Sequence, residues 1–300
     1  MLLKSIIYTG NTEEIITGLE NIKKNLEIKG VKLGISEGIE NETHFIKIFC
    51  GGGDFTSRTE INFNLYLSML IYKFLVREFY IKKIDEFINE TYFFLKEDEI
   101  SEVKKLCMKE FLHDGKINDE NEVYCMNRKN SIIKKITDFV SETDEINIQG
   151  YIRFRIKEME EDFQNMVDKI IEKYMVEKEY DEFIKLLKYF VDIQECKIDE
   201  VNIFAGKNGD YKITDRYGKD IRNKMTQDVN TTGFNSGSST DDFVMSGLIT
   251  LAPKKVIIHC LDCFINKELI ETIKKVFDGR VDFCDSCKEC KALRKKLIRN

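Results

Sequence analysis

Two hydrophobic periods alternate along the chain, and the switches between them divide it. Leu2 to Tyr8 is an apolar run; Asn11 and Thr12 then offer helix caps, and Ile15, Leu19, Ile22 and Leu26 recur at helical spacing. Gly30 supplies a stop, and Val31 to Ile35 and Phe45 to Phe49 read as short strands. Residues 1–56 therefore predict a small β-α-β-β unit.

From residue 57 to 195 the period is helical. Ser57-Arg58-Thr59-Glu60 has the spacing of a capping box, with the serine capping the first turn and the glutamate reaching back, and apolar positions continue to Ile81. Ile84, Phe87, Ile88 and Leu95 extend the pattern. Val103, Leu106 and Phe111 follow an acidic break at Glu97 to Glu99, and a loop is expected near His113 to Glu122. Ile152, Ile156, Met159, Phe163, Met166, Ile170 and Tyr174 form the most regular stripe in the chain. Tyr180, Phe183, Leu187, Phe190 and Val191 resume it beyond a charged joint at Glu177 to Glu179, so two long antiparallel helices are expected.

After Gln194 the period changes to two. Val201 to Phe204 and Tyr211 to Thr214 flank Gly206-Lys207-Asn208-Gly209, a tight hairpin signal. Residues 226–240, TQDVNTTGFNSGSST, read as a mobile surface loop. Asp241 is placed to cap a short helix through Val244, Leu248 and Leu251 that stops near Pro253. Val256 to His259 is then a strand, Ile265 to Phe277 a helix ending at Gly279, and Val281 to Phe283 another strand. The pattern predicts an α+β protein in three parts: an α/β unit at 1–56, a helical region at 57–195, and an α/β region at 196–300 with a hairpin and a C-terminal β-α-β unit.

Composition narrows the function classes. A length of 300 residues with 42% hydrophobic content supports more than one packed body. A net charge of −6 argues against a general affinity for nucleic acid or acidic lipid. The local exception is a basic tail, Lys288, Lys291, Arg294, Lys295, Lys296 and Arg299, whose charges also suit a helix C-terminus. The most membrane-like run, Leu65 to Ile81, is interrupted by Lys73, Arg77 and Glu78, so a buried helix is expected there and no membrane span. The first residues lack the pattern of a signal peptide, which places the protein in the cytosol with reduced thiols.

The candidate chemistry is carried by cysteine. Five of the nine cysteines fall near the C-terminus, as Cys260-Leu-Asp-Cys263 and Cys284-Asp-Ser-Cys287-Lys-Glu-Cys290. In a right-handed β-α-β connection the two strands run parallel, so Cys260 and Cys284 stand at neighbouring strand ends and the thiols can converge. Thiolates are soft donors, and four of the five would complete a zinc site; Cys284, Cys287 and Cys290 with one donor of the first pair would suit an iron–sulfur cluster. The competing readings are reduced thiols at strand ends and a dithiol redox pair. His259 is placed to join or orient a metal shell, although a polar residue at a strand end is the plainer reading.

Other motifs are weaker. Cys50-Gly51-Gly52-Gly53-Asp54 sits between a strand and a helix but lacks the lysine of a phosphate loop. Arg153 and Arg155 lie on different sides of their helix and form no single basic patch. The usual hydrolase signatures are absent, and the sequence points to no catalytic residue.

Three stretches resemble the YtxC-like family: INIQGYIRFRIKEMEEDF at 146–163, VEKEYDEFIKLLKYFVDIQ at 176–194 and FVMSGLITLAPKKVIIH at 243–259. The family is grouped with sporulation proteins of spore-forming Firmicutes. The resemblance implies a cytosolic protein of an endospore former and supplies no catalytic residues. The expectation is a binding or scaffolding component with a protein partner and a structural metal at its C-terminus. An iron–sulfur or dithiol enzyme or sensor is the first alternative, and a nucleic-acid binder using the basic tail is the second.

Overall fold

A computed structural model describes residues 1–9, 13–53, 56–113, 115–117, 119–206, 210–225 and 240–297. The expected caps Asn11 and Thr12, the Asn208-Gly209 turn and nearly all of the 226–240 loop lie outside them, as do the side chains of Lys295 and Lys296 and all of Arg299. The chain forms two units, Met1–Met175 and Val176–Asn300.

The first unit opens with β1 (Leu2–Thr9), α1 (Glu13–Glu27), β2 (Leu33–Glu40) and β3 (Thr43–Cys50), in the order the pattern predicts. Ile15, Leu19, Ile22 and Leu26 are the buried residues of α1. At its end the Gly30 N–H bonds the Glu27 carbonyl at 2.9 Å and the Val31 N–H bonds the Leu26 carbonyl at 3.0 Å. This closure needs a left-handed residue, and Gly30 supplies it with φ of 82°. A strand the pattern did not reveal, β4 (Glu145–Asn147), pairs in parallel with β1 and completes the order β2-β3-β1-β4. Three residues are too few to show a period; the pairing is made by chain that returns from more than a hundred residues away.

The helical middle comprises α2 (Ser57–Lys82), α3 (Ile84–Thr91), α4 (Glu97–Leu112), α5 (Glu120–Glu142) and the start of α6 (Ile148–Ile193). The cap of α2 is Thr56, one residue before the expected Ser57: its hydroxyl accepts the Thr59 N–H at 3.1 Å. Asp119 caps α5 by accepting the Glu122 N–H at 2.9 Å. Phe163 of α6 is the aromatic centre, 4.9 Å from the Phe79 ring and 5.4 Å from that of Phe111.

The two antiparallel helices expected around Glu177 to Glu179 are instead one helix, α6. Glu and Lys favour helix, and neither glycine nor proline occurs between Tyr151 and Ile193, so a charged joint cannot turn the chain. What changes at the joint is the core that the buried side chains join. Residues up to Ile171 belong to the first unit's core, whereas Ile184 and Val191 belong to the second's.

The second unit contains the expected hairpin and β-α-β connection. Its sheet has the order β6-β5-β7-β8, where β5 is Glu200–Ala205, β6 Tyr211–Asp215, β7 Lys255–His259 and β8 Val281–Cys284. β5 is antiparallel to β6 and parallel to β7, and β7 is parallel to β8. Val201, Ile203, Val256 and Ile258 pack with Val244 and Leu248 of α7 (Thr240–Leu251) and Leu269, Ile270 and Ile273 of α8 (Lys267–Val276). Asp241, expected as a cap, stands in the first turn of α7 and accepts the Tyr211 hydroxyl and the Asn266 amide, each at 2.6 Å. The chain ends its described course in α9 (Lys288–Leu297).

Candidate metal centre

Strand register builds the centre. His259 and Cys284 are the last residues of β7 and β8 and are direct partners across the parallel pair. Side chains alternate between sheet faces; Val256 and Ile258 point into the core, so His259 and Cys284 are directed to the opposite face. Beyond Cys284 the chain turns into α9, whose first turn carries Cys287 and Cys290 onto that face. Cys287 acts as a helix cap through sulfur, accepting the Cys290 N–H at 3.4 Å.

The four donor atoms of His259, Cys284, Cys287 and Cys290 lie within 4.8 Å of one another, a group that can hold a metal ion. His259 Nδ1 is 3.5 Å from Cys287 Sγ and 3.6 Å from Cys290 Sγ. Cys290 Sγ is 3.3 Å from Cys287 Sγ and 4.0 Å from Cys284 Sγ. Cys290 is fully buried and His259 nearly so, while Cys284 and Cys287 are half-buried.

The surroundings prepare the imidazole. His259 Nε2 stands 2.9 Å from Asn202 Oδ1; with the Nε2–H donating there, the Nδ1 lone pair faces the sulfurs. The Asn202 amide nitrogen is itself held by Glu200 Oε1 at 3.0 Å, which fixes the orientation of its oxygen. Phe204 stacks on the imidazole with ring centres 4.1 Å apart. Burial holds the His259 pKa below its usual value, favouring the neutral form that metal binding requires.

The thiols are driven apart in acidity. Burial pushes the Cys287 thiol up, but hydrogen bonds from the Cys290 and Glu289 amides and from the neighbouring thiols outweigh it, and the net direction is down. Cys290 moves the other way, pushed up to about 12 by burial and by its bonds to Cys287 and Cys284. The thiolate is the metal-binding form, so a soft cation taken up here would release thiol protons.

The five sequence candidates thus divide. Cys284, Cys287 and Cys290 come together, while Cys260 and Cys263 form a disulfide with each other across a 3-10 turn at Leu261–Cys263. Cys260 leaves the strand with φ of 55°, its N–H bonded to the Cys284 carbonyl at 2.9 Å. From sequence alone His259 reads mainly as a polar strand end. The signal that finds it is parity: an apolar residue at 258 facing the core turns 259 outward, beside the residue that ends β8.

Elsewhere, Arg155 pairs with Glu158 at 2.6 Å, and a cleft of about 640 Å³ in the first unit holds the Arg77–Glu14 and Lys82–Glu78 ion pairs, each at 2.5 Å. Among the described residues no helix is long and apolar enough to cross a membrane.

The sequence model of the YtxC-like family matches residues 65–282, well over half of the chain. The chain belongs to the YtxC-like family. A relative from Bacillus subtilis (strain 168), described as the uncharacterized protein YtxC, is 25% identical over 196 residues, covering 65% of this chain and 68% of that protein. No solved structure matches the chain. The family match takes in His259 and ends just before Cys284, so the three gathered thiols lie beyond it.

Proposed function

We propose that this YtxC-like protein is a cytosolic binding or scaffolding component of sporulation, and that one structural zinc ion, held by His259, Cys284, Cys287 and Cys290, closes its second unit. The observation that carries the zinc reading is the poverty of α9. Of its side chains from 288 to 294, Cys290 alone is buried, and Lys288, Glu289 and Lys291 are exposed. A helix with so little apolar surface gains almost nothing by docking on a sheet. A metal bonded to Cys287 and Cys290 from the helix and to His259 and Cys284 from the strands supplies the missing attachment.

Distances support one ion. Around tetrahedral zinc, with bonds of about 2.3 Å to sulfur and about 2.0 Å to nitrogen, donor atoms stand about 3.5–3.8 Å apart. Four of the six donor separations run from 3.3 to 4.0 Å, and all six are within 4.8 Å. An iron–sulfur cluster spreads its ligands over several irons and would hold them farther apart. Four protein ligands leave no open position, which is the arrangement of structural zinc. The sporulation setting is supported by the family resemblance.

Metal analysis of the native protein tests the centre. About one zinc per chain and no visible colour are expected, and a variant carrying Cys284→Ser and Cys287→Ser should lose both the metal and thermal stability. Iron with visible absorbance, or a variant unchanged in metal and stability, would overturn the zinc reading. Deleting the coding sequence in its endospore-forming host tests the setting: fewer heat-resistant spores are expected, and an unchanged count sinks it.

A further inference from the structure

The second-unit stretch of α6 is apolar on two sides. Ile184 and Val191 are buried in the core, but Val176, Phe183, Leu186, Tyr189, Phe190 and Ile193 face outward, each exposing between 48% and 61% of its surface. At about 100° per residue these six fall within an arc of about 140°, centred about 140° from the buried pair; Glu179 and Glu182 share the arc near its start, and from Phe183 to Ile193 every residue on it is apolar or aromatic. A solvated helix face is ordinarily polar, and a continuous apolar stripe of this size marks an interaction surface.

We propose that this stripe is a homodimer interface, pairing antiparallel with the same stripe of a second copy across a two-fold axis. Two observations select a second copy. Residues 183, 186, 190 and 193 are spaced by three, four and three, a seam that reads the same from either end, so an antiparallel copy meets it apolar on apolar. Large side chains bury about 150–250 Å² each, so the exposed fractions amount to roughly 600–700 Å² of apolar surface per chain. A specific interface takes about 800 Å² per partner with its polar rim included, and this stripe with its flanks reaches that size. Phe183, Tyr189 and Phe190 are the aromatic anchors that an interface centre favours.

Sedimentation equilibrium of the full chain, at micromolar concentration, is expected to give twice the single-chain mass of 35.2 kDa. Phe183→Asp with Phe190→Asp should return it to the single-chain mass, weakening association at least ~100-fold. Because both side chains are exposed in the single chain, the variant should keep its helical circular dichroism and its metal content. A wild-type chain that stays at the single-chain mass overturns the proposal, including the case in which this face serves a different protein. So does a variant that dimerises like the wild type. Should the double aspartate variant lose its helical signal, Leu186→Ser with Ile193→Ser decides by the same two criteria.

Discussion

Cysteine has opposite roles in the two units. In the first, Cys107 and Cys125 are buried among apolar side chains, and burial leads the causes that raise both thiols, Cys107 well beyond the ordinary range and Cys125 to about 11. They behave as small hydrophobic residues. In the second unit three thiols and an imidazole converge, and Cys287 is shifted down. The difference lies in what each body can bury. Helices of the first unit close around Phe163, Phe79 and Phe111, so aromatic packing holds them. In the second, α7 and α8 cover one face of a four-stranded sheet, and the other face receives a short charged helix. A small body with a thin core gains most from a metal or covalent staple.

That contrast can be broken from either side. The largest effect is expected from Cys290→Ser, which removes a buried ligand: metal content should fall from about one per chain to nearly none, with a loss of about 3 kcal/mol or more confined to residues 176–300. Hydrogen exchange read by unit checks it, and equal loss of protection in both units would contradict the assignment. Phe163→Ala is the mirror experiment. It should cost the first unit about 3–5 kcal/mol in denaturant unfolding and leave metal content untouched.

Smaller effects sharpen the comparison. Asn202→Ala removes the acceptor that orients His259 and should weaken metal binding about 10–100-fold without abolishing it, measured by competition with a chelating dye. An unchanged affinity would show that Phe204 stacking alone positions the ring. The first unit should respond to alkali instead. Cys125 keeps its proton in the folded state up to about 11, against 9.0 as the ordinary value, so the unfolded chain loses that proton first. Its contribution is present below about pH 9 and fades as the pH rises through about 11. Cys125→Val should therefore flatten the alkaline slope of unfolding free energy; an identical slope would show that the thiol takes no part.

Much of this was legible along the chain. Local periodicity fixed the β-α-β-β start, the helical middle, the hairpin and the final β-α-β connection, because each depends on neighbours within a few residues. Parallel connection of β7 and β8 followed from handedness, and with it the meeting of two cysteine-bearing strand ends. Three matters were decided by tertiary structure. β4 is a strand only because β1 offers it an edge. The charged joint in α6 is no break: one helix runs on while its buried side chains pass from the first core to the second, and the apolar residues from Val176 to Ile193 that face away from Ile184 and Val191 stay exposed. Selection among the thiols also required three dimensions. Spacing showed that two pairs could approach, but sheet parity sent His259 to the outer face, the left-handed turn took Cys260 away, and the first turn of α9 brought Cys287 and Cys290 in. Sequence sets which residues are neighbours along a strand or helix; the faces on which distant strands and helices meet set which of them share a site.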